Sequence, residues 1–316
     1  MLRLPLSIAP MIDWTYTHFR VLMRILAPQA LLYTEMQTPQ AIANHPERCL
    51  YFSNREHPLA LQLGGADPDA LLAAAQQAQD LGYVEINLNL GCPSDRVRSG
   101  QFGACLMNAP QQVATIIRKL KQNCQLPITA KTRIGIDHQD SYGFFSDFVH
   151  HLADAGCDKL IIHARKAWLN GLSPKQNRSI PPVNYEYVYQ IKAELPHLPF
   201  VINGNINTLE AVFEHLNQVD GVMLGRLACD NPYAIAKIHH GLYPQYALPT
   251  RHQIAQEYFR YLQTLSPTPV SILIKPLLNL AHGLPNAKTW KGHLIQMQRN
   301  NHIPDNLDAI LGYLPT

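Results

Sequence analysis

The chain has 316 residues, of which 47% are hydrophobic and 16% charged; this excludes a disordered or fibrous protein and suits a barrel of about 250 residues with an appended module. Its formal net charge of +3 permits a polyanionic partner without establishing one. The six cysteines Cys49, Cys92, Cys105, Cys124, Cys157 and Cys229 show no C-x-x-C spacing, so neither a disulfide framework nor a metal site is expected.

From the N-terminus, Met1 to Pro5 has none of the basic, apolar and small-residue series of an export signal, and no later apolar run approaches the roughly 20 residues of a membrane span. A cytoplasmic monomer that binds no membrane is expected. Short β-branched and aliphatic runs then predict strands at Leu6 to Pro10, Leu31 to Glu35, Leu59 to Leu63, Val84 to Asn89, Ile128 to Arg133, Lys159 to Ala164, Phe200 to Gly204 and Gly221 to Gly225. Helical periodicity between them covers Pro68 to Leu81, Pro110 to Gln122, Tyr142 to Ala155, Tyr185 to Glu194 and Leu209 to Leu216. Repeated βα units of this number predict a (β/α)8 barrel over residues 1–240. Beyond it, Arg251 to Leu265 and Ser271 to Ala281 read as helices of a second, all-α domain over residues 241–316, in which bases outnumber acids.

A parallel barrel places its active site at the C-terminal strand ends, and these are polar: Gln62, Asn87 and Asn89, Lys131 and Arg133, His163, and Asn203. Such side chains must find hydrogen-bond partners or cost one to several kcal/mol, roughly, and a polar cofactor would supply them. Asn203-Gly204-Asn205 and Gly225-Arg226 follow the seventh and eighth strands, where glycine lets main-chain amides approach a phosphate and arginine neutralises it. Lys131 is suited to balancing negative charge on a reduced flavin, and equally to a Schiff base with a carbonyl substrate.

Two long connections, residues 90–109 and 165–183, are expected to carry binding functions. The first holds Gly91-Cys92-Pro93-Ser94, Arg96, Arg98 and Gly103-Ala104-Cys105-Leu106-Met107. Small Gly103 and Ala104 would let this loop fold close over a ligand, which singles out Cys105 as a thiol able to donate a proton, with Cys92 acting mainly in packing.

These segments, with Ile8-Ala9-Pro10-Met11, Leu61-Gln62-Leu63-Gly64-Gly65, Glu85-Ile86-Asn87-Leu88-Asn89, Lys131-Thr132-Arg133 and Ile162-His163-Ala164-Arg165, resemble the tRNA-dihydrouridine synthase family over the whole barrel. Leu32-Tyr33-Thr34-Glu35-Met36, Ser94-Asp95-Arg96-Val97 and the Ala164 to Arg178 loop are most similar to its A-type branch, which acts on positions 20 and 20a of the tRNA D-loop. His282-Gly283-Leu284-Pro285 and Trp290 resemble its RNA-binding bundle less clearly, and Asn205 stands where a second glycine is expected.

The resemblance implies bound FMN, NADPH as electron donor, and reduction of the uracil C5=C6 bond in tRNA. It implies that Pro10, Met11, Ile12, Gln62, Lys131 and His163 hold the isoalloxazine, and that Asn203, Gly204, Asn205, Gly225 and Arg226 hold the phosphate. Cys105 becomes the acid that protonates C5. Asn89 and Arg133 would read the flipped base; Arg96, Arg98, Arg165, Lys166, Lys175, Arg178, Lys288 and Lys291 would meet the tRNA. The alternative is an FMN-dependent oxidoreductase acting on a free pyrimidine, as dihydroorotate dehydrogenase does, against which the helical domain and long basic loops speak.

Overall fold

In a computed structural model, residues 4–265, 268–304 and 306–315 are described, without the side chains of Arg96, Arg98 and Leu307. Eight parallel strands run β1 (Leu6–Ile8), β2 (Leu32–Tyr33), β3 (Leu59–Leu63), β4 (Glu85–Leu90), β5 (Ile128–Arg133), β6 (Lys159–His163), β7 (Phe200–Asn203) and β8 (Gly221–Leu224). Neighbours in sequence pair in register from β2 to β8, and β8 pairs back to β1 with Leu6 opposite Val222. The last gap is bridged by Ile8 N–H to Leu31 C=O and Leu31 N–H to Leu6 C=O, both 3.0 Å, so the sheet closes as a (β/α)8 barrel.

Alternation along the strands divides two cores. Outward residues such as Leu61, Ile86, Leu88, Ile162 and Ile202 join the large core beneath the helices. Inward ones, Ala9, Leu31, Tyr33, Ala60, Ile161, Val201 and Met223, form a smaller cluster inside the barrel.

The helical layer follows from capping and periodicity. Pro68–Leu81 begins with proline at its first turn, Asp67 accepts from the N–H groups of Asp69 (2.8 Å) and Ala70 (3.0 Å), and Gly82 ends it at φ 90°. Its buried face, Leu71, Ala74, Ala75 and Ala78, is spaced for one stripe.

After β8, helix Pro232–Leu242 packs on the barrel helix Thr17–Leu26, and helix Arg251–Leu262, capped reciprocally by Thr250 and Gln253, packs on it too. The single helix expected from Ser271 to Ala281 is instead Val270–Ile274 followed by a 3-10 turn, Lys275–Leu277. Pro276 is the cause, since it lacks an N–H for the ladder and collides with the preceding turn. Helix Ala287–Asn300, which the sequence pattern does not predict, buries Trp290, whose indole N–H donates to Leu277 C=O at 2.9 Å. No helix among the described residues is long and apolar enough to cross a membrane.

Candidate active site

A cavity of about 580 Å3 opens at the C-terminal strand ends, within the size range of cofactor sites. Every residue that the sequence assigned to the cofactor lines it: Pro10, Met11 and Ile12 after β1, Gln62 on β3, Lys131 on β5, His163 on β6, Asn203, Gly204 and Asn205 at β7, and Gly225 with Arg226 after β8. Asn89, Arg133 and Arg178 line it as well. Met36, Gln37 and Thr38 also do so. They lie three to five residues beyond β2, at the strand end where the barrel rule places site residues.

The floor of the site is a chain of amides running down the barrel. Asn89 Oδ1 accepts from the main-chain N–H groups of Cys92 (3.0 Å) and Gly91 (3.3 Å), and Asn89 Nδ2 donates to Gln62 Oε1 at 2.9 Å. Gln62 Nε2 donates to Asn87 Oδ1 (2.8 Å), Asn87 Nδ2 to Thr129 Oγ1 (2.9 Å), and the Thr129 hydroxyl to Glu85 Oε1 (2.7 Å). Glu85 also takes Tyr33 O–H at 2.8 Å and Lys159 Nζ at 2.5 Å. A carboxylate at one end can only accept and main-chain N–H groups at the other can only donate, so both ends dictate the same orientation for every amide between them. Asn89 therefore retains one N–H and no acceptor for a ligand.

Charge in the cavity is one-sided. Among the described residues, Lys131, Arg133, Arg178 and Arg226 line it against the single carboxylate of Asp13. Burial, reinforced by the Arg133 guanidinium, pushes Lys131 down to about 7, and its Nζ donates to Asn203 Oδ1 at 3.1 Å. Burial first, then the surrounding cations, hold His163 well below the usual imidazole range, so it is neutral and available as a hydrogen-bond partner. Gly204 adopts φ 126°, and a Cβ there would lie 3.0 Å from the His163 ring. Asn205 takes the left-handed φ of 55°, a conformation asparagine tolerates better than most residues, which accommodates the missing second glycine. Excess positive charge beside bare main chain fits an anionic, phosphate-bearing group.

Of the two loop thiols, Cys92 lines the cavity and Cys105 is not among its lining residues. Cys92 is fixed from both sides, its N–H by Asn89 and its C=O by Ala104 N–H at 3.0 Å. Cys105 sits on a 3-10 helix, Gly103–Asn108. Gly103, at φ 71°, is pressed against the same loop: a Cβ there would stand 2.3 Å from Val97 Cγ1 and 2.7 Å from Cys92 O. The small residues that directed attention to Cys105 thus serve contact with the Cys92 main chain, and the geometry favours Cys92 as the thiol facing a ligand.

The basic residues expected to meet RNA fall into two groups. Arg133 is buried and donates from Nε to Gly91 C=O (3.1 Å) and from Nη1 to the carbonyls of Lys166 (3.1 Å) and Asn177 (2.8 Å), tying the two long loops together. Buried Arg165 donates to the carbonyls of Pro181 and Ser179, and Lys166 pairs with Asp140 at 2.6 Å. Arg226 Nη2 donates to Arg178 C=O at 3.0 Å. Lys175, Arg178, Lys288 and Lys291 are exposed. The side chains of Arg96 and Arg98 lie outside the described residues. No group of three His, Cys, Asp or Glu side chains among the described residues is placed to hold a metal ion.

A family model described as dihydrouridine synthase matches residues 7–312. The tRNA-dihydrouridine(20/20a) synthase of Vibrio vulnificus is 45% identical over 303 residues, 95% of this chain and 92% of its own length. The synthase of the same name from Synechocystis is 48% identical over 291 residues, 91% and 87% of the two chains, and that from Shigella flexneri 47% over 294 residues, 91% and 86%. With the barrel, its cation-lined mouth and both long loops inside the matched span, the chain belongs to the dihydrouridine synthase family.

Proposed function

We propose that the protein reduces uridine in tRNA to 5,6-dihydrouridine, using bound FMN and electrons from NADPH, at the D-loop positions 20 and 20a that its relatives' names carry. The observation behind this reading is a cation-rich cavity at the strand ends with the thiol of Cys92 on its wall. Bound FMN would supply the hydride for uracil C6. Gly204, Asn205, Gly225 and Arg226 would hold its phosphate, while Gln62, Lys131, His163 and Met11 would hold the ring. Cys92 Sγ would donate the proton to C5, completing addition of one hydride and one proton across C5=C6. Asn89 would offer its remaining N–H to a carbonyl oxygen.

The tRNA would cross the mouth of the barrel, with Arg178 at the rim and Lys175, Lys288 and Lys291 meeting phosphates; residues 241–316 would form the RNA-contacting module, and the cytoplasm would be the place of work. Arg133, Arg165 and Lys166 are better read as holding the loops in place.

The test is dihydrouridine formation on unmodified tRNA by FMN-loaded protein, with Cys92→Ala and Cys105→Ala compared. Flavin reduction by NADPH should persist in both, and product formation should fall by at least a hundredfold only in Cys92→Ala. The reverse pattern would return the acid to Cys105. Turnover of free uracil as fast as tRNA would favour a free-pyrimidine enzyme, and a protein that takes up no FMN would favour a Schiff-base role for Lys131.

A further inference from the structure

The turn after β1 is held from outside the barrel. Met11, Ile12 and Asp13 line the cavity, and Asp13 occupies the left-handed region at φ 65°, a conformation disfavoured for residues that carry a Cβ. Both main-chain groups of Asp13 are gripped by charged side chains. Its N–H donates to Glu35 Oε1 at 2.5 Å, and its C=O accepts from Lys275 Nζ at 2.7 Å. Glu35 comes from just beyond β2, whereas Lys275 comes from the helical segment that follows the barrel.

Lys275 does more than bridge one carbonyl. Its ammonium stands 4.6 Å from the ring centre of Trp14, the next residue of the same turn. Tyr16 O–H donates to Ile272 C=O at 2.9 Å, so the far end of the turn is tied to the same segment. Asn279 Nδ2 donates to Cys229 C=O at 2.9 Å, and Cys229 Sγ lies 3.8 Å from Met11 Sδ. The segment therefore touches both loops, after β1 and after β8, that flank the proposed phosphate and ring sites. Pro276 is what sets this up: by ending helix Val270–Ile274 it puts Lys275 at a helix end, where its side chain reaches across to the barrel.

Holding the turn this way also keeps Ile12 54% exposed at the cavity mouth, an apolar side chain presented where a ring or base would cover it. We propose that Lys275 is a positioning residue for the active site: from the helical segment it sets the Met11–Asp13 turn, so that docking of tRNA on that segment and the shape of the cavity are coupled. This rests on the flavin and tRNA reading above only for what the cavity and the segment bind. Lys275 is not among the residues that line the cavity; it acts on the turn through Asp13 and Trp14.

Lys275→Met removes the ammonium while keeping an unbranched side chain of similar length, and Lys275→Arg restores a cationic donor. In Lys275→Met the melting temperature should stay within a few degrees of the parent, the dissociation constant for FMN should rise about tenfold, and KM for tRNA should rise more than kcat falls. Lys275→Arg should recover both values to within threefold. FMN affinity and tRNA KM within twofold of the parent in Lys275→Met, or an arginine variant as impaired as the methionine one, would overturn the proposal. The amide resonances of Met11, Ile12 and Asp13 in 15N-labelled protein provide a readout that needs no ligand. They should shift in Lys275→Met and return in Lys275→Arg; resonances that do not move would overturn the coupling even if the parent protein takes up no FMN, a result that would by itself count against the flavin reading.

Discussion

Lys131 carries its charge at a cost that burial imposes, so its proton is loosely held until an anion arrives. Its value of about 7 in the free protein lies well below the ordinary lysine value of 10.5. An anionic group bound beside it would raise that value again, so binding takes up a proton above pH 7. FMN affinity is therefore expected to be flat below about pH 7 and to fall by up to about tenfold per unit above it. Lys131→Met should abolish this slope and weaken binding at pH 7, as fluorescence titration from pH 6 to 9 would reveal. The same depression gives stability the opposite sign: the unfolded chain keeps the proton longer, so this residue's contribution to the stability of the free protein grows as pH rises from about 7 to 10.5. Comparing urea midpoints of parent and Lys131→Met across that window isolates it. The position of Lys131 at a strand end was legible in the sequence. Its depressed proton affinity was not, because that depends on burial and then on the nearby Arg133, which only folding supplies.

At the scale of elements, the two long loops behave as one unit pinned by Arg133. Removing its three main-chain hydrogen bonds in Arg133→Met should cost about 2 to 4 kcal/mol, since buried carbonyls lose charged donors, and should quicken proteolysis of residues 165–183. A protease digestion unchanged from the parent would mean the loops hold without it. Gly103 makes a second test. Gly103→Val would drive a side chain into Val97 and the Cys92 carbonyl from a left-handed backbone, with an expected loss of about 1 to 3 kcal/mol from overpacking and a larger loss of turnover through displaced Cys92. If melting temperature falls but turnover does not, the link from Gly103 to Cys92 is wrong. The sequence marked this loop as functional by its length and glycines; which of its thiols lines the cavity was not legible, because loop residues close in sequence diverge in space, and Gly103 faces the loop's own backbone.

For the whole molecule, the proposed tRNA surface joins the barrel mouth to the helical segment. Lys288→Glu with Lys291→Glu should weaken tRNA binding and reduce the salt slope by about one to two units, one for each phosphate that is no longer neutralised, while leaving FMN affinity unchanged. Binding measured at several salt concentrations that shows the parent slope would remove these lysines from the interface.

The sequence by itself determined the barrel, because β-branched runs and capped helices are local signals whose alternation admits few topologies; β3, β5 and helix Pro68–Leu81 match its expected bounds. It also determined which strand ends are polar, since strand direction fixes which end bears the site. Tertiary structure decided what lies between elements distant in sequence: the amide chain from Glu85 to Cys92, the loops joined by Arg133, and the contact of Lys275 with Asp13. Those choices depend on distances and burial set by closure of the sheet, and no local pattern in the chain encodes them.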